Sequence, residues 1–224
     1  MKRSLVIGAV LLLCVARPIS AQQAYEAPEV TSAGDAYVSY QVLFDGLFIL
    51  DVFLDDNGEV QRIDALRDPG SMLGAAKKSV QMWKFQPASK EGKSAPSRMT
   101  VSFVYRPPNW GIAAPVPPKG FSPVLPPDQS DSSVHRNYVP VGVLSLSYPE
   151  YPVNSLSWGS VVVQLTVDGS GRITGVDFLH GMDGFNNLVS KALKAWRFQP
   201  ATFNGVSITS KTVIAFVFQP PISN

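Results

Sequence analysis

The sequence predicts an α+β fold of two repeated β-β-α-β modules, each a small antiparallel sheet with one helix packed on a face. Three observations predict it. The hexapeptide Trp-Lys-Phe-Gln-Pro-Ala at residues 83–88 returns as Trp-Arg-Phe-Gln-Pro-Ala at residues 196–201. The offset of 113 residues (196 − 83) then holds without a gap. Upstream, Asp55, Gly58, Asp64, Leu66 and Lys78 meet Asp168, Gly171, Asp177, Leu179 and Lys191; downstream, Gly92, Phe103, Pro107 and Pro108 meet Gly205, Phe216, Pro220 and Pro221. Within each copy the apolar period also switches from two to about 3.6. A register this long means one unit built twice.

Each copy opens on a strand. Val161, Val163, Leu165 and Val167 alternate with Val162, Gln164 and Thr166, a β-branched run suited to a strand with one face on a core; residues 48–54 take the same place in the first copy. Asp168-Gly169-Ser170-Gly171 and Asp55-Asp56-Asn57-Gly58 supply residues that tolerate positive φ, the chemistry of a hairpin turn. The latter lacks the Asp/Asn alternation and distal glutamate of a calcium loop. Second strands follow at residues 172–178 and 59–66.

A helix comes next. Phe185, Leu188, Val189, Ala192, Leu193 and Trp196 form one apolar stripe at helical spacing, repeated as Met72, Ala75, Ala76, Val80 and Trp83. Asp183 and Ser71 stand where an N-terminal cap would serve, and Lys191, Lys194 and Arg197 suit the C-terminal end of the dipole. Pro87 and Pro200 block continuation of the helix. Trp83, Phe85, Pro87, Trp196, Phe198 and Pro200 are therefore read as structural core. The last strands, residues 97–105 and 209–218, each end at Pro-Pro.

The domain order is a signal peptide at 1–21, an N-terminal extension at 22–36, a first domain at 37–108, a proline-rich linker at 109–147 and a second domain at 148–224. Lys2 and Arg3, a run of about a dozen apolar residues and Ala21 make the order of a secretory signal cleaved after Ala21. Left uncleaved, it would anchor the chain in the cytoplasmic membrane facing the periplasm. Cleavage removes Cys14, and with it disulfide and thiol chemistry. It also removes three of the 19 lysines and arginines, which leaves near-neutrality against 17 acidic residues. That balance offers no footprint for nucleic acid. Residues 139–146 are apolar enough to dock on a domain as an added strand.

No catalytic set stands out. His135 and His180 have no second histidine or cysteine at metal-ligand spacing, and no phosphate loop or nucleophile elbow is present. The reading is a non-enzyme without cofactor, metal or small-molecule substrate.

The order of strand, Asp-x-x-Gly turn, strand and helix ending in Trp-[Lys/Arg]-Phe-x-Pro-Ala resembles the C-terminal domain of TonB-family periplasmic proteins. The second copy matches more fully, because Tyr148-Pro149-Glu150-Tyr151-Pro152 precedes its first strand like the family's Tyr-Pro segment. The resemblance implies a sheet that accepts a short outer-membrane transporter segment beside its last strand, with backbone hydrogen bonds giving affinity. The candidate peptide-binding residues are Thr212, Val213, Ile214, Ala215 and Phe216, with Tyr148, Pro149, Tyr151 and Pro152. Taken by themselves, these apolar strands need covering or using. The alternative is that the edges of the two modules, or residues 139–146, cover one another. The expected function is an exported periplasmic adaptor that binds a protein or extended peptide by strand addition. A membrane-anchored TonB-type energy transducer and a self-associating envelope scaffold are the alternatives.

Overall fold

The computed structural model describes residues 25–36, 45–68, 72–107, 137–152 and 155–219. The expected signal peptide, most of the proline-rich linker, His135 and the Ser71 cap lie outside them. The first half forms β1 (Tyr25–Glu26), β2 (Glu29–Ser32), β3 (Gly46–Leu54), β4 (Val60–Arg67), α1 (Leu73–Met82), β5 (Lys84–Gln86), β6 (Ala88–Lys90), β7 (Lys93–Ala95) and β8 (Ser97–Arg106). The second forms β9 (Tyr138–Val139), β10 (Gly142–Ser145), β11 (Gly159–Val167), β12 (Ile173–His180), α2 (Asn186–Leu193), β13 (Arg197–Gln199), β14 (Ala201–Phe203), β15 (Val206–Ile208) and β16 (Ser210–Phe218). The fold is α+β, mostly strand with two helices.

The long strands do not form two separate antiparallel sheets. They make one six-stranded sheet in the order β12-β11-β16-β8-β3-β4. Its outer pairs are antiparallel, and β16 and β8 meet in parallel at the centre, with Val213 opposite Val101 and Phe218 opposite Arg106. The reason lies in composition. Nearly every residue of β8 and β16 is buried, so an open edge on either would expose a row of unpaired backbone groups beside apolar side chains. Pairing the two strands removes both edges. It also buries β3 and β11 on both faces, where alternation had suggested one.

The helices lie on opposite faces of this sheet. Val189 and Leu193 of α2 pack with Val161, Val163, Ile214 and Phe216, and the same cluster takes in Leu47, Ile49 and Val104 from the first half. On the other face, Ala76 and Val80 of α1 pack with Phe48, Leu50 and Phe103, and with Val213, Ala215 and Val217 from the second half. Short strands cover what the helices leave. β2 pairs with β5 and β1 with β6, while β10 pairs with β13 and β9 with β14. Val30 opposite Phe85 and Val143 opposite Phe198 keep the 113-residue offset.

Each of these arches crosses to the other half. The Val30 amide donates to Gln164 Oε1 at 2.8 Å and the Ala36 amide to Ser160 Oγ at 2.8 Å. Thr100 Oγ1 donates to the Val141 carbonyl at 2.7 Å, and Tyr25 stacks on Phe203 with ring centroids 4.5 Å apart. Lys211 pairs with Glu29. The two halves therefore share their cores.

The turns are held from inside. Asp168 accepts from the Ser170 hydroxyl at 2.6 Å, the Ser170 amide at 2.9 Å and the Arg172 amide at 3.0 Å. The Ser170 hydroxyl, then the Arg172 amide, hold its carboxyl well below the usual carboxylate range. Gly171 sits at φ 80°, and a Cβ there would lie 2.1 Å from the Phe198 carbonyl oxygen; Gly58 at φ 84° faces the Phe85 oxygen in the same way. The repeated hexapeptide thus crosses directly over the repeated turn, with Pro87 and Pro200 beside it. Gly171→Ala combines left-handed strain with a backbone clash and is expected to lower stability by more than about 1 kcal/mol. A lower urea midpoint at unchanged slope would register this.

The helix ends differ from expectation. α2 starts after Phe185 with no side-chain cap, so Asp183 does not cap it. Asn186 Oδ1 instead accepts the Met182 amide at 2.9 Å. Trp83 ends α1 in an extended conformation, and Trp196 lies beyond the end of α2 at Leu193. Both rings are buried where the stripe placed them, past the last helical turn.

Candidate functional site

Thr212, Val213, Ile214, Ala215 and Phe216 all lie in β16, each at most 1% exposed. β11 occupies one side of the strand and β8 the other. Neither side is free for an added strand, so the place proposed for a partner segment is filled by the chain's own β8. The pairing of β16 with β8 covers the final strands of the two halves with one another.

The Tyr-Pro segment runs along α2. Tyr151 is buried, edge-on to Phe185 and Phe218, and its hydroxyl donates to the Ser157 and Gln219 carbonyls at 2.6 and 3.2 Å. Burial pushes its pKa up to about 12. Tyr148 is half-buried, with the Arg106 guanidinium 4.8 Å from its ring centroid. Pro149 is buried and Pro152 half-buried. These residues bind the segment to the fold, and the Tyr151 hydroxyl is committed to backbone carbonyls.

Of the residues read as core, Trp83, Phe85, Trp196 and Phe198 are buried, while Pro87 and Pro200 are half-buried at the turns. His180 Nε2 lies 3.8 Å from Asp35 Oδ1. Among the described residues no group of three histidines, cysteines or carboxylates gathers to hold a metal ion.

Among the described residues, the outer strands of the large sheet are β12 and β4. β4 carries Arg62, which pairs with Asp64 at 3.0 Å and lies over the Phe53 ring at 4.1 Å. Charged side chains of this kind blunt an edge. β12 is different. Val176 and Phe178 are each 41% exposed on it.

Beside them opens a groove of about 620 Å³ between β12 and α2, within the size range of ligand pockets. Ile173, Val176, Phe178, Leu193 and Trp196 give it apolar walls. Arg172, Lys194 and Arg197 also line it, and no carboxylate does. Arg197 is fixed by donating to the Lys194 and Trp196 carbonyls at 2.9 and 2.7 Å. Arg172 reaches Asp168 at 3.3 Å.

The first half holds a smaller counterpart at the same offset, a pocket of about 140 Å³ lined by Gly58, Glu59, Val60, Gln81, Trp83 and Lys84. Glu59 stands where Arg172 does and Gln81 where Lys194 does. α1 also continues to Met82, whereas α2 stops at Leu193, the counterpart of Val80. Sequence reading missed this groove. The available signal was Phe178 where the first copy has Ala65.

Residues 145–220 match the family model of the Gram-negative bacterial TonB protein C-terminal. That segment contains β11, β12, α2 and β16, and thus the groove. No curated protein and no solved structure matches the chain. Among the described residues no helix is long and apolar enough to cross a membrane.

Proposed function

From a second half that is TonB C-terminal-domain-like, we propose that this chain is a periplasmic, non-enzymatic adaptor that holds an extended segment of an envelope protein by strand addition. Outer-membrane transporters are the partner class. The observation that carries the reading is the outer side of β12, which no strand pairs among the described residues, with two exposed apolar side chains beside an open groove. A segment laid along it gains main-chain hydrogen bonds from β12 and places alternate side chains over the groove.

On this reading the β-β-α-β unit occurs twice, and the first copy acts as a built-in strand partner for the second. β8 takes the position beside β16, which leaves β12 as the accepting edge. The first copy's own edge, β4, is charged and its groove small, so the two copies divide structural and binding roles.

The test is a titration of the mature chain with peptides from the periplasm-facing segments of outer-membrane transporters, followed through backbone amides. The expected result is shifts and added exchange protection along Ile173–His180, with β16 unchanged. If no such peptide moves β12, the transporter reading falls. Intact mass of protein recovered from the cell envelope checks the location, with loss of residues 1–21 expected.

A further inference from the structure

We propose that the groove between β12 and α2 selects extended segments that carry a bulky apolar side chain with carboxylates two positions away on either side. The inference rests on strand addition at β12 and names the chemistry that this site reads. In a strand, residues i and i ± 2 share a face. A segment paired to β12 therefore presents every second side chain to the groove.

The central side chain of such a triplet enters walls formed by Val176, Phe178 and Leu193, above Trp196. Trp196 is only 1% exposed, so it forms a floor, while the exposed parts of Val176 and Phe178 are what an incoming side chain would cover. The side chains two residues away meet the cationic lining of Arg172, Lys194 and Arg197. Arg197 is held in place by two backbone carbonyls, which fixes one positive charge at the rim without placing a carboxylate beside it. Carboxylates on the partner complement this field, and lysines oppose it.

An anionic amphiphile shares part of this chemistry. It offers no main-chain groups to the outer side of β12, which is unpaired among the described residues and lines the groove through Ile173, Val176 and Phe178, and a peptide does. The first half supplies an internal contrast. Its smaller pocket has Glu59 in place of Arg172 and Gln81 in place of Lys194, so acidic apolar segments are not drawn to it.

The experiment uses the mature full chain and a capped peptide, Thr-Glu-Thr-Phe-Thr-Glu-Thr, with affinity from calorimetry and the binding site from amide shifts. Expected results are shifts along Ile173–His180 and a loss of at least about tenfold in affinity when the probe's Phe becomes Ala. Replacing both glutamates by glutamine weakens binding and flattens its salt dependence. The Lys194→Glu variant, at an exposed position, loses affinity for this probe and gains it for the version with lysines in place of glutamates. Opposite changes for the two probes cannot come from a folding defect. Equal binding of the Phe and Ala probes, or an unchanged ratio of affinities for the glutamate and lysine probes in Lys194→Glu, overturns the inference. So does dodecanoate filling the groove while the probe leaves β12 unmoved. Transporter peptides that protect β12 regardless of these replacements would leave strand addition standing and remove only the groove chemistry. Failure of every peptide to move β12 would remove both.

Discussion

Arg98→Met is expected to destabilise the fold by about 3–5 kcal/mol, because it leaves a carboxylate buried without its partner. Asp51 and Arg98 are 1% and 2% exposed, on adjacent strands β3 and β8. The Arg98 Nε donates to Asp51 Oδ1 at 3.1 Å and its Nη2 bonds Oδ2, a forked pair. Burial raises the Asp51 pKa despite the opposing pull of the Arg98 charge. Without Arg98 that pull disappears and the folded-state pKa moves further above the unfolded value of about 3.9. A carboxyl raised in this way contributes stability that is fully present below the unfolded pKa and lost as pH rises through the folded one. The variant should therefore be relatively more stable near pH 4 than at pH 8 in urea titrations, compared with the parent. Asp51→Leu together with Arg98→Met should recover most of the loss, since an apolar pair of similar volume removes the orphaned charge. The second half has Gln164 and Lys211 at the matching positions. There they hold the first half's arch, through the Val30 amide and Glu29.

Trp196→Ala is the second large effect, at about 3–5 kcal/mol. The ring is edge-on to Phe216 with centroids 6.0 Å apart, and its Nε1 donates to the Ser147 carbonyl at 2.9 Å. That bond ties the entry to the Tyr-Pro segment onto the end of α2. Trp83 occupies the same place in the first hexapeptide, stacked on Phe103 at 5.7 Å. Its Nε1 is buried with no hydrogen-bond partner among the described residues. The Trp→Phe replacements should therefore separate. Trp196→Phe strands the Ser147 carbonyl and costs about 1–3 kcal/mol beyond lost packing, whereas Trp83→Phe removes an unsatisfied donor and costs less. Paired urea titrations of the two variants would display the difference.

The hairpins and helices were legible because their signals are local. The alternation in residues 161–167, the Gly58 and Gly171 turns and the spacing of Leu188, Val189, Ala192 and Leu193 each point to one element. What joins those elements was not. An apolar strand such as β16 reads the same whether its neighbours belong to its own half or to the other, and only the assembled sheet puts β8 beside it. The first half's arch was hidden by its brevity, two and four residues per strand, while of the second the sequence showed the apolar run 139–146 and not its partners. A trace existed in Tyr25 and Tyr138, Val30 and Val143, and Ser32 and Ser145, which keep the repeat offset upstream of its obvious part. The reason Gly171 faces Phe198 is likewise tertiary, since 27 residues separate them. The same limit applies to the binding residues read from the sequence. The last strands are the most apolar, and apolar strands are buried at a sheet's centre, while an accepting edge must tolerate water. β12, with Thr174, Asp177 and His180 among its apolar residues, meets that condition.

Amide hydrogen exchange on the chain tests the fused sheet and its outer strand β12 most directly. Residues 212–218 of β16 and 101–106 of β8 are expected to exchange slowest, at the rate of global unfolding, while β12 contains amides that exchange through local opening. Fast exchange along β16 and β8, with β12 protected, would contradict it.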